Sequence, residues 1–300
     1  MSYIRLFGSI AISMALLSCG SETQNTSDKV IVPSEVPADL DTSQVFRSAQ
    51  SIFYSMPSPL ELTSLIKKAG GQYRKDLLHN PAKAIIYQSA RTRALALGVY
   101  GADLSYSAVY EQQGDAVKFL AASKRLGETI GIQEAFSAEI IERTNANLDN
   151  RDSIMAIMTE MYWQTNSQLK EENRDQLALL VVAGGWIEGL YIGCSVYDPS
   201  EPNFNIQKRM SEQKFASQQL EEMFILMKDD YMVDETGKIF QPLFELFNSL
   251  NIEYEESSVS ENKGNGSINI GGKTNIDMTR EQFDNLRNIV FELRAKIVEP

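Results

Sequence analysis

Residues 176–197 read QLALLVVAGGWIEGLYIGCSVY and carry a single charge, Glu188. A second stretch of the same kind, ALALGVYGADLSYSAVY at residues 94–110, carries only Asp103. A helix that is apolar on every side is a buried helix, because none of its faces gains from contact with water. The two stretches therefore predict an all-α fold, an irregular multi-helix bundle around two central buried helices.

Small residues recur at every fourth position in both stretches. Residues at this spacing lie along one side of a helix and allow two backbones to approach closely. Glycine inside a helix costs about 1 kcal/mol relative to alanine, so a row of glycines indicates a compensating packing gain. We expect the two rows to face each other. The rows consist of Gly185, Gly189 and Gly193 on one side and of Ala90, Ala94, Gly98 and Ala102 on the other.

Residues 177–197 are also long enough to cross a bilayer, which needs roughly 20 apolar residues. Glu188 at the midpoint argues against a membrane span, because a charge there costs about 2.5–3.5 kcal/mol on insertion scales. The neighbouring segments are amphipathic, as in a helical bundle with its own core. A buried core helix is the favoured interpretation.

The rest of the chain predicts amphipathic helices around this centre. SPLE at residues 58–61 is a helix start with a capping box, and Asn-Pro at residues 80–81 indicates a second helix that continues to about residue 113. Residues 283–297 place apolar side chains along one face of the last helix. Residues 255–277 are rich in Ser, Asn and Gly, which predicts a small loop or hairpin before that helix.

The composition narrows the class of protein. The formal net charge of the chain is −12 and 43% of its residues are apolar. A nucleic-acid-binding protein should present a basic face, so that class is disfavoured. Residues 43–300 are expected to form a single helical domain.

The N-terminus indicates where the protein resides. Arg5 precedes an apolar run that ends in Leu16-Leu17-Ser18-Cys19-Gly20, a motif that resembles the lipobox of bacterial lipoproteins. The run is too short to span a bilayer and is typical of a removed signal segment. We therefore expect a lipoprotein signal peptide over residues 1–18. Residues 19–42 are then the lipidated cysteine followed by a polar, flexible tether.

The whole chain resembles uncharacterised helical lipoproteins of Gram-negative bacteria. The resemblance rests on the lipobox, on PSPLEL at residues 57–62 and on ALGVYGADLSY at residues 96–106. It implies an acylated Cys19 inserted in the lipid bilayer, and it implies no known activity. Gly20 after the cysteine, rather than aspartate, favours the outer membrane, with the protein facing the periplasm or the cell surface.

Asp103 and Glu188 are the candidate functional residues, because a carboxylate in an apolar core needs a partner. A structural interpretation pairs each with a tyrosine or with a base such as Arg91 or Arg93. A functional interpretation makes them polar anchors of a ligand pocket between the central helices. The aromatic residues that would line this pocket are Tyr100, Tyr106, Trp186 and Tyr191.

The sequence gives little support for a metal site or a reactive thiol. The chain has one histidine, His79, and Cys194 as its only cysteine besides Cys19, which cannot build a zinc cage; no metal or cofactor is expected. Cys194 lies in an apolar run and is expected to be an inert buried thiol. The leading interpretation is a membrane-tethered, non-enzymatic lipoprotein of the cell envelope that binds an unknown envelope protein or has a structural role. The alternatives are a small-molecule binding or sensing protein and, more weakly, an acid-dependent hydrolase.

Overall fold

The computed structural model describes residues 57–147, 150–254, 258–262, 267–271 and 274–300. The predicted signal peptide, Cys19 and the tether over residues 19–42 lie outside these residues. Within them the prediction of an all-α multi-helix bundle is confirmed. The helices are α1 Pro59–Lys68, α2 Ala90–Val109, α3 Gln113–Thr129, α4 Ala138–Ala146, α5 Arg151–Glu171, α6 Asp175–Ser195, α7 Phe204–Ser211, α8 Lys214–Leu226, α9 Tyr231–Asn248 and α10 Arg280–Val298.

The two central helices, α2 and α6, pack against each other more extensively than any other pair of helices described. Helix α6 also contacts α1, α5, α7, α8, α9 and α10, so the outer helices surround it. By length and composition α6 is the one described helix that could cross a membrane, yet 94% of its most apolar window is buried inside the protein. Its apolar faces are thus covered by its neighbours in the bundle.

The two rows of small residues meet only in part. A Cβ atom added to Gly98 would lie 2.0 Å from Val181 O, and one added to Gly184 would lie 2.0 Å from Leu95 O. The row on α6 otherwise faces other helices, because Gly189 abuts Leu62 and Gly193 abuts Met210. The prediction that the two rows face each other therefore holds only where Gly98 meets Gly185 and is wrong for Gly189 and Gly193. The helices cross at Gly98, and α6 uses the rest of its glycine row to receive side chains from α1 and α7.

Local signals set most helix starts. Ser58 caps α1 with the predicted capping box, in which Glu61 N donates to Ser58 Oγ and Ser58 N donates to Glu61 Oε2. The prediction of one long helix from residue 81 was wrong. Pro81–Ile85 forms a short 3-10 turn, and Ser89 then caps α2 as a separate element. Two further 3-10 turns are Lys75–Leu77 and Glu134–Phe136.

A small β ribbon precedes the last helix, where a loop or hairpin was expected. Ile252–Tyr254 (β1) pairs antiparallel with Thr274–Ile276 (β4), and Ser258–Asn262 (β2) pairs antiparallel with Ser267–Gly271 (β3). In the second pair Val259 lies opposite Ile270. The chain then enters α10, whose apolar face, Phe283 to Ile297, is buried as predicted.

Candidate functional site

The close crossing of α2 and α6 brings Asp103 and Glu188 together in the core. Both residues are completely buried, and each carboxyl group is close enough to shift the pKa of the other. Two ionised carboxylates so close together in a core without water would repel each other strongly, so one of the two takes up a proton. The pair is therefore a carboxylic acid beside a carboxylate.

Arg294 of α10 is the counterion of this pair. Its Nε donates to Glu188 Oε2 at 2.9 Å and its Nη2 donates to Glu188 Oε1 at 3.0 Å. Its guanidinium group lies over the ring of Tyr191, 4.4 Å from the ring centre. This bidentate geometry is the strong form of an arginine–carboxylate bond. It identifies Glu188 as the ionised member of the pair.

Asp103 is the protonated member. Burial and the neighbouring Glu188 raise its pKa well above the ordinary range of an aspartate. Its Oδ2 accepts a hydrogen bond from the backbone N of His79 at 3.0 Å. Burial also raises the pKa of Glu188, while Arg294 and the neighbouring Asp103 act in the opposite direction. One negative and one positive charge thus remain in the core.

His79 lies beside this pair as a neutral ring. Its Nε2 is 2.8 Å from Tyr87 Oη, and Tyr87 Oη donates to Val298 O at 3.2 Å. Because that hydroxyl has a single proton, His79 Nε2–H is the donor toward Tyr87. Burial, with the positive charges of Arg294 and Lys83, lowers the pKa of His79 to about 4. The C-terminal end of α10 is thereby connected to the segment before α2.

The predicted pocket residues lie in separate places. Tyr100 donates to Asn80 O and its ring contacts His79, so it does border the acid pair. Tyr191 borders Arg294. Tyr106 belongs to a stack with Tyr73 and Tyr110. Trp186 packs on Phe247 and donates to Gln213. The structure therefore brings together four of the six residues, Asp103, Glu188, Tyr100 and Tyr191.

Sequence reasoning missed the main partner of the acids. Neither Arg91 nor Arg93 is the counterion, and Arg93 Nε donates instead to the backbone O of Tyr87. Arg294 carried a usable signal: it is four residues after Val290 and three before Ile297, within the apolar stripe of α10. A lone charge on a buried helix face requires a buried partner of opposite charge.

The site is buried and ion-paired, and Asp103 Oδ1 is its one side-chain oxygen without a hydrogen bond to a described residue. Among the residues that the structure describes, no cluster of three or more His, Cys, Asp or Glu side chains could hold a metal ion. Burial raises the pKa of the Cys194 thiol to about 12, so it stays protonated at neutral pH. Comparison of the chain with protein-family models, with curated proteins and with solved structures found no match.

Acidification is expected to destabilise the protein through His79. Its pKa is about 4 in the folded state against an ordinary value of 6.5, so between these values the unfolded chain binds the extra proton. One such group lowers the free energy of unfolding by up to about 1.4 kcal/mol per pH unit as the pH falls. Urea unfolding at pH 7, 6 and 5 checks this. The wild type should lose stability more steeply than His79→Gln, and equal slopes would contradict a neutral buried histidine.

Proposed function

We propose that this protein is a lipid-anchored, non-enzymatic component of the bacterial cell envelope. The observation that carries the proposal is the sequence Leu16-Leu17-Ser18-Cys19-Gly20 after a short apolar run, which resembles a lipobox. Acyl chains on Cys19 would hold the protein in the bilayer, because more than one acyl chain is enough for stable anchoring. Gly20 favours the outer membrane, with the domain facing the periplasm or the cell surface.

The burial and the hydrogen bonds of the acid pair support a non-enzymatic role. Asp103 and Glu188 are completely buried, and the hydrogen bonds that they make go to Arg294 and to the His79 backbone. A general acid must reach the substrate proton within hydrogen-bond distance. The pair instead links α2, α6 and α10, as expected of a structural element. A pocket for a small molecule at these residues is the alternative proposal, and it needs a path from solvent to them.

Substitution of the cysteine tests the anchor. Cys19→Ser should remove the protein from the membrane fraction, because the residue that carries the lipid is lost. Metabolic labelling with an alkyne fatty acid, followed by fractionation, measures both effects. Cys194→Ser is the matched control, since it removes the other cysteine, and it should keep both label and membrane location. Unlabelled wild type, or Cys19→Ser protein that stays in the membrane, would overturn the lipid anchor.

A role in an envelope complex is tested on protein purified gently from its own membranes. Native mass spectrometry should detect a second protein chain at fixed stoichiometry. A protein without a companion chain but with an added mass of a few hundred daltons would instead favour the small-molecule alternative. The measured masses test the partner or ligand, whereas the fractionation tests the lipid anchor, so either proposal can fail without the other.

A further inference from the structure

A cavity lies on the side of α2 opposite Asp103. It measures about 70 Å³, opens to solvent on one side, and is lined by α2, α3, α5, α6, the start of α1 and the 3-10 turn at Glu134–Phe136. Leu104 and Met158 form much of its apolar wall. None of the side chains that line it is charged. Its mouth is near Ser58 and Thr159, where Thr159 is exposed to solvent.

Gly101 keeps this cavity open. A Cβ atom added there would meet no atom within 4 Å, whereas one added to Gly98, a turn earlier on the same helix, would collide with α6. Close packing explains Gly98 and does not explain Gly101. Glycine inside a helix costs about 1 kcal/mol relative to alanine. At Gly101, which is partly exposed, the glycine leaves free space beside the helix at the cavity.

Two hydroxyl groups in the walls have no partner. Ser123 is 2% exposed and its Oγ makes no hydrogen bond to any described residue. Tyr162 Oη makes no hydrogen bond of normal geometry to a described residue, although the Asn166 side chain lies beside it. A buried polar group without a partner costs about 1–3 kcal/mol. A molecule in the cavity that hydrogen-bonds to Ser123 would remove that penalty.

We propose that this cavity binds an uncharged alkyl-chain molecule that carries one hydroxyl or carbonyl group. The cavity is about half the size of the 150 Å³ cavity known to hold benzene, so a ring does not fit, whereas a slender chain can place its oxygen and first carbons inside and extend its far end through the mouth. Apolar walls bind the chain, and Ser123 binds the oxygen. A charged head group is disfavoured because no side chain of the lining could pair with it. The proposal goes beyond the anchoring role and does not depend on it.

Titration calorimetry of the full-length protein with 1-hexanol tests this ligand class. All samples contain the same detergent at the same concentration, so partition of hexanol into micelles is identical for every variant. The wild type should show saturable binding of one hexanol molecule. Hexanoate, of the same chain length but charged, should bind at least about tenfold more weakly.

Two substitutions locate the ligand. Gly101→Val places carbon atoms inside the cavity and should weaken hexanol binding about tenfold or more. Gly114→Val is its matched control, because the Cβ there also meets nothing within 4 Å but points to solvent at the start of α3; it should leave binding unchanged. Ser123→Ala, a smaller change, should weaken binding about two- to tenfold through loss of one hydrogen bond.

Each outcome decides the proposal. Saturable binding that Gly101→Val and Ser123→Ala weaken and Gly114→Val does not would support it. No saturable binding by the wild type would leave the cavity as space for a few water molecules and would overturn it. Equal binding by the wild type and both cavity variants would place hexanol elsewhere and overturn it too. If Gly101→Val fails to fold, Ser123→Ala alone gives the answer.

Discussion

Replacement of Arg294 by methionine is expected to destabilise the folded protein by about 3–5 kcal/mol. The change leaves Glu188, which is completely buried, without the guanidinium group that donates two hydrogen bonds to it. Glu188 must then stay charged without a partner or take up a proton. The measurement is urea unfolding of the full-length protein at pH 7, followed by far-ultraviolet circular dichroism.

A surface arginine provides the matched control for Arg294. Arg143 donates to both carboxylate oxygens of Glu160, at 3.1 and 2.9 Å, and both side chains are more than one third exposed. Because water screens this pair, Arg143→Met should cost less than about 1 kcal/mol. Loss of the same bidentate bond is therefore expected to lower the free energy of unfolding greatly in the core and only slightly on the surface. Equal effects of the two substitutions would refute the structural role of Arg294.

The double variant Arg294→Met, Glu188→Gln separates a lost charge pair from lost packing. The glutamine carries no charge that would be left unpaired in the core. We expect it to recover most of the stability lost in Arg294→Met, because the cost lies in the unpaired charge rather than in the missing guanidinium group. A double variant as unstable as the single one would instead assign the loss to packing of Arg294 on Tyr191.

Replacement of Gly98 by alanine is the second large effect, with an expected loss of about 3 kcal/mol or more. The new methyl group would lie 2.0 Å from Val181 O and 2.5 Å from Gly185 N. These are backbone atoms of α6, so no side chain can rotate away and the two helices must separate. That separation would also pull Asp103 away from Glu188. Thermal unfolding of the full-length protein measures the loss.

Gly101→Ala is the control for Gly98, on the same helix and one turn later. Its methyl group would meet nothing within 4 Å, so only the helix propensity changes. We expect a gain of about 0.5–1 kcal/mol. The two glycine-to-alanine changes should therefore have opposite signs. No loss at Gly98 would mean that α2 and α6 do not cross where the structure places them, and a loss at Gly101 would contradict the free space beside that residue.

Helix α10 shows which features could be predicted from the sequence and which could not. Its buried face from Phe283 to Ile297 and the hairpin region before it were predictable, because apolar spacing and turn composition are local properties. The partner of Glu188 was not predicted. Arg294 is 106 residues further along the chain, and pairing over that distance depends on how three helices pack. Attention to a charge within an apolar stripe would have indicated Arg294 as a candidate.

The amino-acid sequence by itself determined the all-α class and the burial of α2 and α6, because a helix without a polar face has to be covered by others. It also determined the capping box at Ser58. Tertiary structure alone decided that Gly98 is packed while Gly101 borders a cavity, since both glycines look alike in the sequence. It decided likewise that Asp103 holds a proton and Glu188 a charge. The physical reason is that steric contact and pKa depend on neighbours brought together only by the packing of the helices.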